Sequence, residues 1–402
     1  MSEASYFFTW SSQKAALKIP LESAENFGFV SNGRTLTDMS SLSYQASFGL
    51  KNQKIIKEMT KQMQDFCLAS PKNTFKLKEQ VASKLSALAS NNPSKKSRAD
   101  YKVFFTQSGS ESIENALKMS RQISGKKYIL AQKNSYHGAS LGALSVTGDW
   151  RNKSPLSLSQ YTIRVPSPQD DPQAKQLALL IEQSKKKGIA AICLETITGG
   201  NGVFIPSKGW YKEVQRLCKE NDIHLILDEV VCAAHRTGPF FGFQNYPLLK
   251  PDFICLAKAL TGGYFPLGAV LVHKKLASYY DDNVLSCGLT NYAHPIGLAA
   301  SKAVLKICTG EQFKSKLERN IRILTNFQKS ILSLESVITV RQIGMLMAIE
   351  LKHPITAEAF IKEGLFVAVQ NKRPIIAPPL NMNSKLLKSS LKKVELLLRR
   401  IT

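Results

Sequence analysis

The sequence predicts an α/β protein: a large domain built on a mostly parallel sheet, with a smaller α+β unit after it. Three observations predict it. From Tyr101 onward, short apolar runs alternate with stretches of helical periodicity, as in strand–helix–strand units whose strands are buried on both faces. With 402 residues, the chain exceeds one ordinary core and suits a large domain beside a smaller one. Beyond about Ile296 the pattern changes again, to long helices and a last pair of strands.

Residues 1–20 read as irregular, with an aromatic cluster at Tyr6-Phe-Phe-Thr-Trp10. Two alternating runs, Asn26–Val30 and Thr35–Met39, flank Ser31-Asn-Gly-Arg34. Asn-Gly is the strongest short hairpin signal, so a small β-meander is expected. Ile55, Ile56, Met59, Met63 and Phe66 recur at helical spacing between Lys54 and Cys67. A second helix is expected over Leu77–Leu88, then a loop at Asn91–Lys96. The expected strands of the large sheet are Val103–Phe105, Tyr128–Leu130, Ile189–Leu194, Ile223–Leu227, Phe253–Leu256 and Ala269–Val272. Helical patterns fall between them at Ser110–Ser120, Leu177–Lys187 and Trp210–Asn221. Helices over Ala300–Ile307 and Glu311–Leu332 follow, then strands over Val340–Glu350 around Gly344 and over Leu365–Val369, and a final amphipathic helix over Lys385–Ile401.

Composition narrows the class. Hydrophobic residues are 44% and charged residues 21% of the chain, as in ordinary globular proteins. No apolar run approaches the roughly 18 residues of a spanning helix. Met1–Tyr6 lacks the basic and apolar regions of a signal peptide, so a cytoplasmic location is expected. The seven cysteines form no C-x-x-C pair, which argues for reduced, mostly buried thiols and against a zinc site or a disulfide framework. No metal is expected. The net charge is +24. Its local clusters, Lys95–Arg98, Lys185–Lys187 and Lys388–Arg400, are not interleaved with aromatics. They read as solvated surface before nucleic-acid contact, and they also suit the attraction of small anions.

Five stretches carry chemistry. The strand Phe253–Ala257 ends on Lys258, and Gly262 and Gly263 follow. A lysine at the end of a buried strand loses pKa to burial, and the neutral amine is the nucleophile of Schiff-base chemistry. Alone, it better fits a lysine that snorkels out of a strand end. Thr106-Gln-Ser108-Gly109-Ser110-Glu111 joins a strand to a helix. Free N–H groups there suit a phosphate, or Ser108 is a plain cap. Tyr136, in Ser135-Tyr-His137-Gly138, can stack on a flat ring or cover the core. Asp228 ends the apolar run Leu225-Ile-Leu. A buried carboxylate needs a partner, and a protonated ring nitrogen is one. Thr290 opens a polar loop and can bond a phosphate or serve as a loop residue. Each stretch is ambiguous, but the first four sit at strand C-termini, where α/β sheets bind ligands. Together they describe a site for pyridoxal phosphate held on a lysine.

These motifs extend into a chain-wide resemblance. Gly28–Ser41, Ser108–Lys118, Tyr136–Gly138, Leu227–Val230, Ala257–Gly268, Thr290–Pro295 and Pro378-Pro-Leu380 resemble the class III (ω-) aminotransferases, pyridoxal-phosphate enzymes of fold type I. Gly148-Asp-Trp-Arg151, Thr198–Val203 and Asn283–Thr290 look most like the taurine–pyruvate and ω-amino acid:pyruvate branch. The resemblance implies a large cofactor domain at 51–300 and a small domain shared by 1–50 and 301–402. It implies that Lys258 holds the cofactor and then carries the proton, and that Asp228 keeps the ring nitrogen protonated. Tyr136 and Val230 would take the two ring faces. Ser108, Gly109, Ser110 and His137 would complete the cofactor contacts, with Glu195 behind them. Thr290 would reach the phosphate of the neighbouring subunit, implying a homodimer with shared sites. Trp10, Tyr44 and Arg341 would line the substrate channel.

Departures from the family pattern bear on substrate. Ile375 stands where many members carry a carboxylate-gripping arginine, and Gly200 stands where that arginine's glutamate partner would be. Both absences argue against ornithine-type or 4-aminobutyrate-type handling. Diaminononanoate aminotransferases of biotin synthesis are the alternative, though they have tryptophan in place of Leu42 and arginine in place of Ala368. A non-catalytic polyanion-binding protein on the same fold is a further alternative. The expected reaction is ping-pong transfer of an amino group from an ω-amino acid or amine to a keto acid such as pyruvate.

Overall fold

The computed structural model describes residues 5–90, 100–153, 155–370 and 373–401. The expected loop at 91–96 and the basic cluster at 95–98 lie outside them. The strands in chain order are β1 Ser23–Glu25, β2 Gly28–Ser31, β3 Arg34–Asp38, β4 Tyr101–Thr106, β5 Tyr128–Gln132, β6 Thr162–Val165, β7 Ile189–Glu195, β8 His224–Asp228, β9 Phe253–Leu256, β10 Gly268–His273, β11 Val337–Ile343, β12 Leu346–Leu351, β13 Leu365–Phe366, β14 Ala368–Gln370 and β15 Arg373–Ile376.

The main sheet runs β4-β10-β9-β8-β7-β5-β6. Its pairs are parallel from β9 to β6, whereas β10 is antiparallel to both neighbours. Every residue of β7, β8 and β9 is buried, because helices cover both faces. Side chains alternate accordingly. Ile129, Cys193, Ile226, Cys255 and Val270 meet Ile113, Ala116 and Leu117 of the helix Gly109–Ser124. Leu130, Ile192, Leu194, Leu225, Leu227 and Ile254 face the opposite core with Trp210, Val214 and Leu298. From β5 the chain steps outward to β6, then returns to β7 on the other side. That reversal opens a crevice at the C-terminal ends of β5 and β7, the usual ligand position in such sheets.

The Asn-Gly hairpin forms as expected, with φ of 49° at Asn32 and 68° at Gly33, the left-handed pair that a type I′ turn requires. Three expectations need correction. The run Leu365–Val369 is two strands: β13 pairs with β3, and β14 pairs with β15. β6 is a strand the sequence reading omitted, short and polar because it sits on the sheet edge. β15 was omitted too, since Pro374 argues against a strand interior. Its partner residue is Val369 of β14, the sheet's edge strand. The β3–β13 pairing ties the two ends of the chain together, which supports the proposal that both belong to one small domain.

Candidate active site

Asp228 ends β8, and in register it lies beside Glu195 of β7 and Cys255 of β9. Lys258 follows three residues later, so parallel pairing alone brings both groups to one edge. Lys258 has φ of 46°, a left-handed backbone that costs about 1–2 kcal/mol for a residue with a Cβ. The turn is fixed by bonds from the Thr261 and Gly263 amides to the Lys258 carbonyl, at 3.3 and 3.2 Å. Burial holds the Lys258 amine below the ordinary lysine range, and Arg151 pushes the same way, against the pull of Asp228 and Glu195.

The Asp228 carboxylate is oriented from two sides. The Val230 amide donates to Oδ1 at 3.0 Å, and His137 Nδ1 lies 2.9 Å from Oδ2. Burial opposes charge on His137, but Cys193 and Asp228 outweigh it and hold its pKa well above the ordinary imidazole value. His137 therefore stands behind Asp228 and holds the carboxylate in place from the side away from Val230. The adjacent acid, Glu229, turns away. It accepts from the amides of Gly242 and Phe243, each at 2.7 Å, and from Thr196 Oγ1, so its task is to fix the loop after β8.

Ser108 caps the helix Gly109–Ser124, its Oγ accepting from the Glu111 amide at 3.2 Å. The first N–H groups of that helix, at Gly109 and Ser110, have no carbonyl one turn back, and the helix starts beside Val230 and Ala257 at the crevice. Gly109 is required by space: a Cβ there would lie 3.0 and 3.1 Å from the Val230 methyls. Ser110 Oγ bonds Ser140 Oγ at 2.6 Å, tying this helix to the loop after Tyr136. The Tyr136 amide donates to Glu195 Oε1 at 2.9 Å, and the Gly199 amide to Oε2 at 2.8 Å. Burial, with Asp228 adding, pushes Glu195 up to about 7 against the opposing pull of His137.

Tyr44 reaches the same place by an unusual route. Ser41, Leu42, Ser43 and Tyr44 all have positive φ, from 41° to 72°, a left-handed turn without a glycine. Arg236 supports it. This guanidinium is 1% exposed and donates to the carbonyls of Met345 and Pro378 and to Oγ of Ser41 and Ser47, at 2.7–3.1 Å. Burial pushes its pKa down to about 10. Ser41 Oγ donates on to the Ala377 carbonyl, and Ser47 Oγ to the Tyr44 carbonyl. The turn sets the Tyr44 ring 5.1 Å from Lys258 Nζ. His235 closes the loop at 235–238: its Nδ1 lies 2.8 Å from the Gly238 carbonyl, and its ring packs on Phe240 and Phe313.

Trp10 joins the cluster, its ring 6.1 Å from that of Tyr136. Arg341 is already committed, with Nε bonded to the Gly202 carbonyl at 2.7 Å and Nη2 to Glu350 at 2.9 Å. Thr290 is exposed and makes none of these contacts. A cleft of about 970 Å³ lies elsewhere, lined by Lys51, Lys54, Lys57, Lys306, Lys316 and Arg319, and none of the strand-end residues borders it.

Comparison with known proteins fits this geometry. The family model described as aminotransferase class-III matches residues 11–398. The chain belongs to the class-III aminotransferases. It is 34% identical to an acetylornithine aminotransferase of Methanosarcina acetivorans over 257 residues, 63% of this chain and 61% of that protein. The match to the acetylornithine aminotransferase of Methanothermobacter thermautotrophicus is 32% identical and covers 62% of each. The chain thus spans about three-fifths of the curated relatives it matches. It superposes on taurine:2-oxoglutarate aminotransferase from Bifidobacterium kashiwanohense, in complex with PLP and glutamate, with a TM-score of 0.89, 29% identity, and 98% and 94% of the two chains covered. An amine transaminase from an uncultivated Pseudomonas species, PLP-bound, shares the fold at a TM-score of 0.90, 23% identity and full coverage of both chains. Pyridoxal phosphate is the cofactor of this family member, and the chain's residues fit it. A lysine of lowered pKa, a buried carboxylate and a helix N-terminus share one crevice. Among the described residues no helix is long and apolar enough to cross a membrane.

Proposed function

We propose that the protein is an aminotransferase that moves an amino group from an ω-amino acid or amine to a keto acid such as pyruvate, in two half-reactions. The observation that carries this reading is the convergence of Lys258 and Asp228 at the ends of adjacent strands, with the Gly109 helix terminus beside them. When bound, pyridoxal phosphate supplies an electron sink for the carbon that bears the amino group. The chain's own residues supply the rest. Lys258 holds the cofactor through Nζ. Its depressed pKa leaves that nitrogen able to take a proton from the substrate carbon and return it. Asp228, oriented by His137 and the Val230 amide, would accept a hydrogen bond from a protonated ring nitrogen. The amides of Gly109 and Ser110 would hold the phosphate, Tyr136 and Val230 would hold the ring, and Glu195 sets the Tyr136 backbone. We further propose a homodimer in which Thr290 completes the phosphate site of the other subunit. Its exposure supports this.

The ω-amino acid range is favoured over α-carboxylate handling by two packing facts. Ile375 is fully buried among apolar residues, and a Cβ at Gly200 would lie 2.5 Å from Gln370 Oε1. The test is a donor screen of the loaded protein with β-alanine, taurine, putrescine and N-acetylornithine, pyruvate being the acceptor. Turnover of acetylornithine alone would overturn the donor class. Borohydride reduction followed by peptide mass mapping locates the cofactor, and a label on any lysine but Lys258 would overturn the assignment.

A further inference from the structure

The chain holds a second cation at the crevice, and nothing so far gives it a task. Arg151 lies in the segment after Tyr136, its guanidinium carbon 4.2 Å from the Tyr136 ring centre, 5.2 Å from Trp150 and 5.5 Å from Trp10. Three aromatic rings thus hold one planar cation, a desolvating cage that favours a guanidinium over an ammonium. Its side chain is 13% exposed. Nη1 donates to Asp149 Oδ2 at 2.8 Å, and Asn201 steadies that same oxygen at 3.0 Å. Nε is buried and has no hydrogen-bond partner among the described residues. A guanidinium carries five donors in a fixed fork, so one side of this fork is anchored and another polar edge is left to bond.

The other cations near the site are engaged. Arg236 spends its fork on four acceptors. Arg341 is bonded to Gly202 and Glu350. Position 375 is an isoleucine in an apolar cluster. Arg151 is also within electrostatic reach of the reacting amine, since its charge acts on both Lys258 and Tyr44. We propose that Arg151 is a specificity-determining residue, and that it binds the acid group of the amino donor at the end remote from the reacting amine. The donor class is then a short ω-amino acid bearing a carboxylate or a sulfonate. Planar and tetrahedral oxyanions both accept from a guanidinium fork. This inference rests on the aminotransferase reading for the identity of the donor, but not for the anion site itself.

The experiment compares the loaded wild type with Arg151→Gln and Arg151→Lys. The first reading is the donor concentration that half-saturates the first half-reaction, followed by loss of the lysine-bound cofactor absorbance, with β-alanine, taurine and propylamine. Losing a charge-assisted bidentate contact raises this value about 10- to 100-fold for the acids, while uncharged-tailed propylamine stays within about two-fold. Arg151→Lys falls between, and it carries the comparison if Arg151→Gln folds poorly. A response confined to β-alanine assigns a carboxylate and one confined to taurine a sulfonate; either supports the proposal. The second reading is calorimetric binding of propionate and ethanesulfonate, which have no amine to transfer. If no donor reacts but anion binding falls in the variants, the anion site stands and the aminotransferase reading fails. If the acids react and the variants match wild type, or propylamine is impaired equally, the Arg151 proposal is overturned.

Discussion

Replacing Arg236 with methionine removes a cation from the interior while keeping the unbranched apolar stem. The loss can be worked from the contacts. Ser41 and Ser47 keep a bond each, to the Ala377 and Tyr44 carbonyls, so their hydroxyls are not orphaned. The carbonyls of Met345 and Pro378 lose a charged donor each, and a buried group left unsatisfied costs about 1–3 kcal/mol. Against this, the variant escapes the cost of burying the guanidinium, which a pKa of about 10 rather than 12.5 puts at about 3 kcal/mol. That relief is smaller than the total of four charge-assisted bonds, at about 1.5–3 kcal/mol each. The four bonds total about 6–12 kcal/mol, so the net expectation is a loss of about 3–9 kcal/mol. It should appear in urea as a midpoint about 1–3 M lower, with an m-value near 3 kcal/mol/M. Both proteins are loaded with cofactor so that ligand linkage is equal. Arg236→Lys should recover part of the loss, since one ammonium cannot span four acceptors. A methionine variant with an unshifted midpoint would refute the claim that Arg236 holds the left-handed turn in place.

Three further outcomes are expected. Gly109→Ala gains about 0.5–1 kcal/mol as a helical residue but collides with Val230, so stability should move little while cofactor affinity, read by absorbance titration, falls about ten-fold or more; unchanged affinity would remove Val230 from the site. Asp252 bonds the Leu225 amide at 2.8 Å, and burial pushes its pKa from 3.8 to about 6. The native state thus binds the extra proton between those values, and this group's contribution declines as pH rises through that window. Asp252→Asn should therefore gain on wild type by about 2–3 kcal/mol between pH 4 and pH 7 in urea denaturation, and a constant difference would contradict it. Mixed dimers of Lys258→Ala with a Thr290→Asp protein should regain about a quarter to a half of wild-type activity if Thr290 acts across the interface; absence of complementation would place Thr290 outside the partner's site.

The large sheet was legible because burial on both faces writes itself as uninterrupted apolar runs, and β7 and β8 end on Glu195 and Asp228. Lys258 and Asp228 stood out as candidates because charge appears where such a run closes. Arg236 did not. It sits in an aperiodic loop, and its partners at 41, 47, 345 and 378 meet only in the folded chain. The turn over Ser41–Tyr44 leaves no local trace either, since no glycine announces its positive φ. Arg151 was visible only as part of a motif. Its aromatic cage joins residues 10, 136, 150 and 151, a combination that neither period nor spacing encodes.

The two substitutions at 375 and 200 act as one packing change. Ile375 pairs in register with Ala348 and Ala368 and packs with Tyr44, Ile197, Val203 and Leu346. A guanidinium there would need a buried counter-charge, and Gly200 offers none because Gln370 already fills that space. Restoring arginine alone would therefore bury an unpaired cation, at a cost of several kcal/mol. The apolar wall and the Gly200–Gln370 contact sustain each other. On the proposed reading, an anionic donor end would find no cation at 375 and would turn to the segment at 148–151, where the Arg151 guanidinium stands.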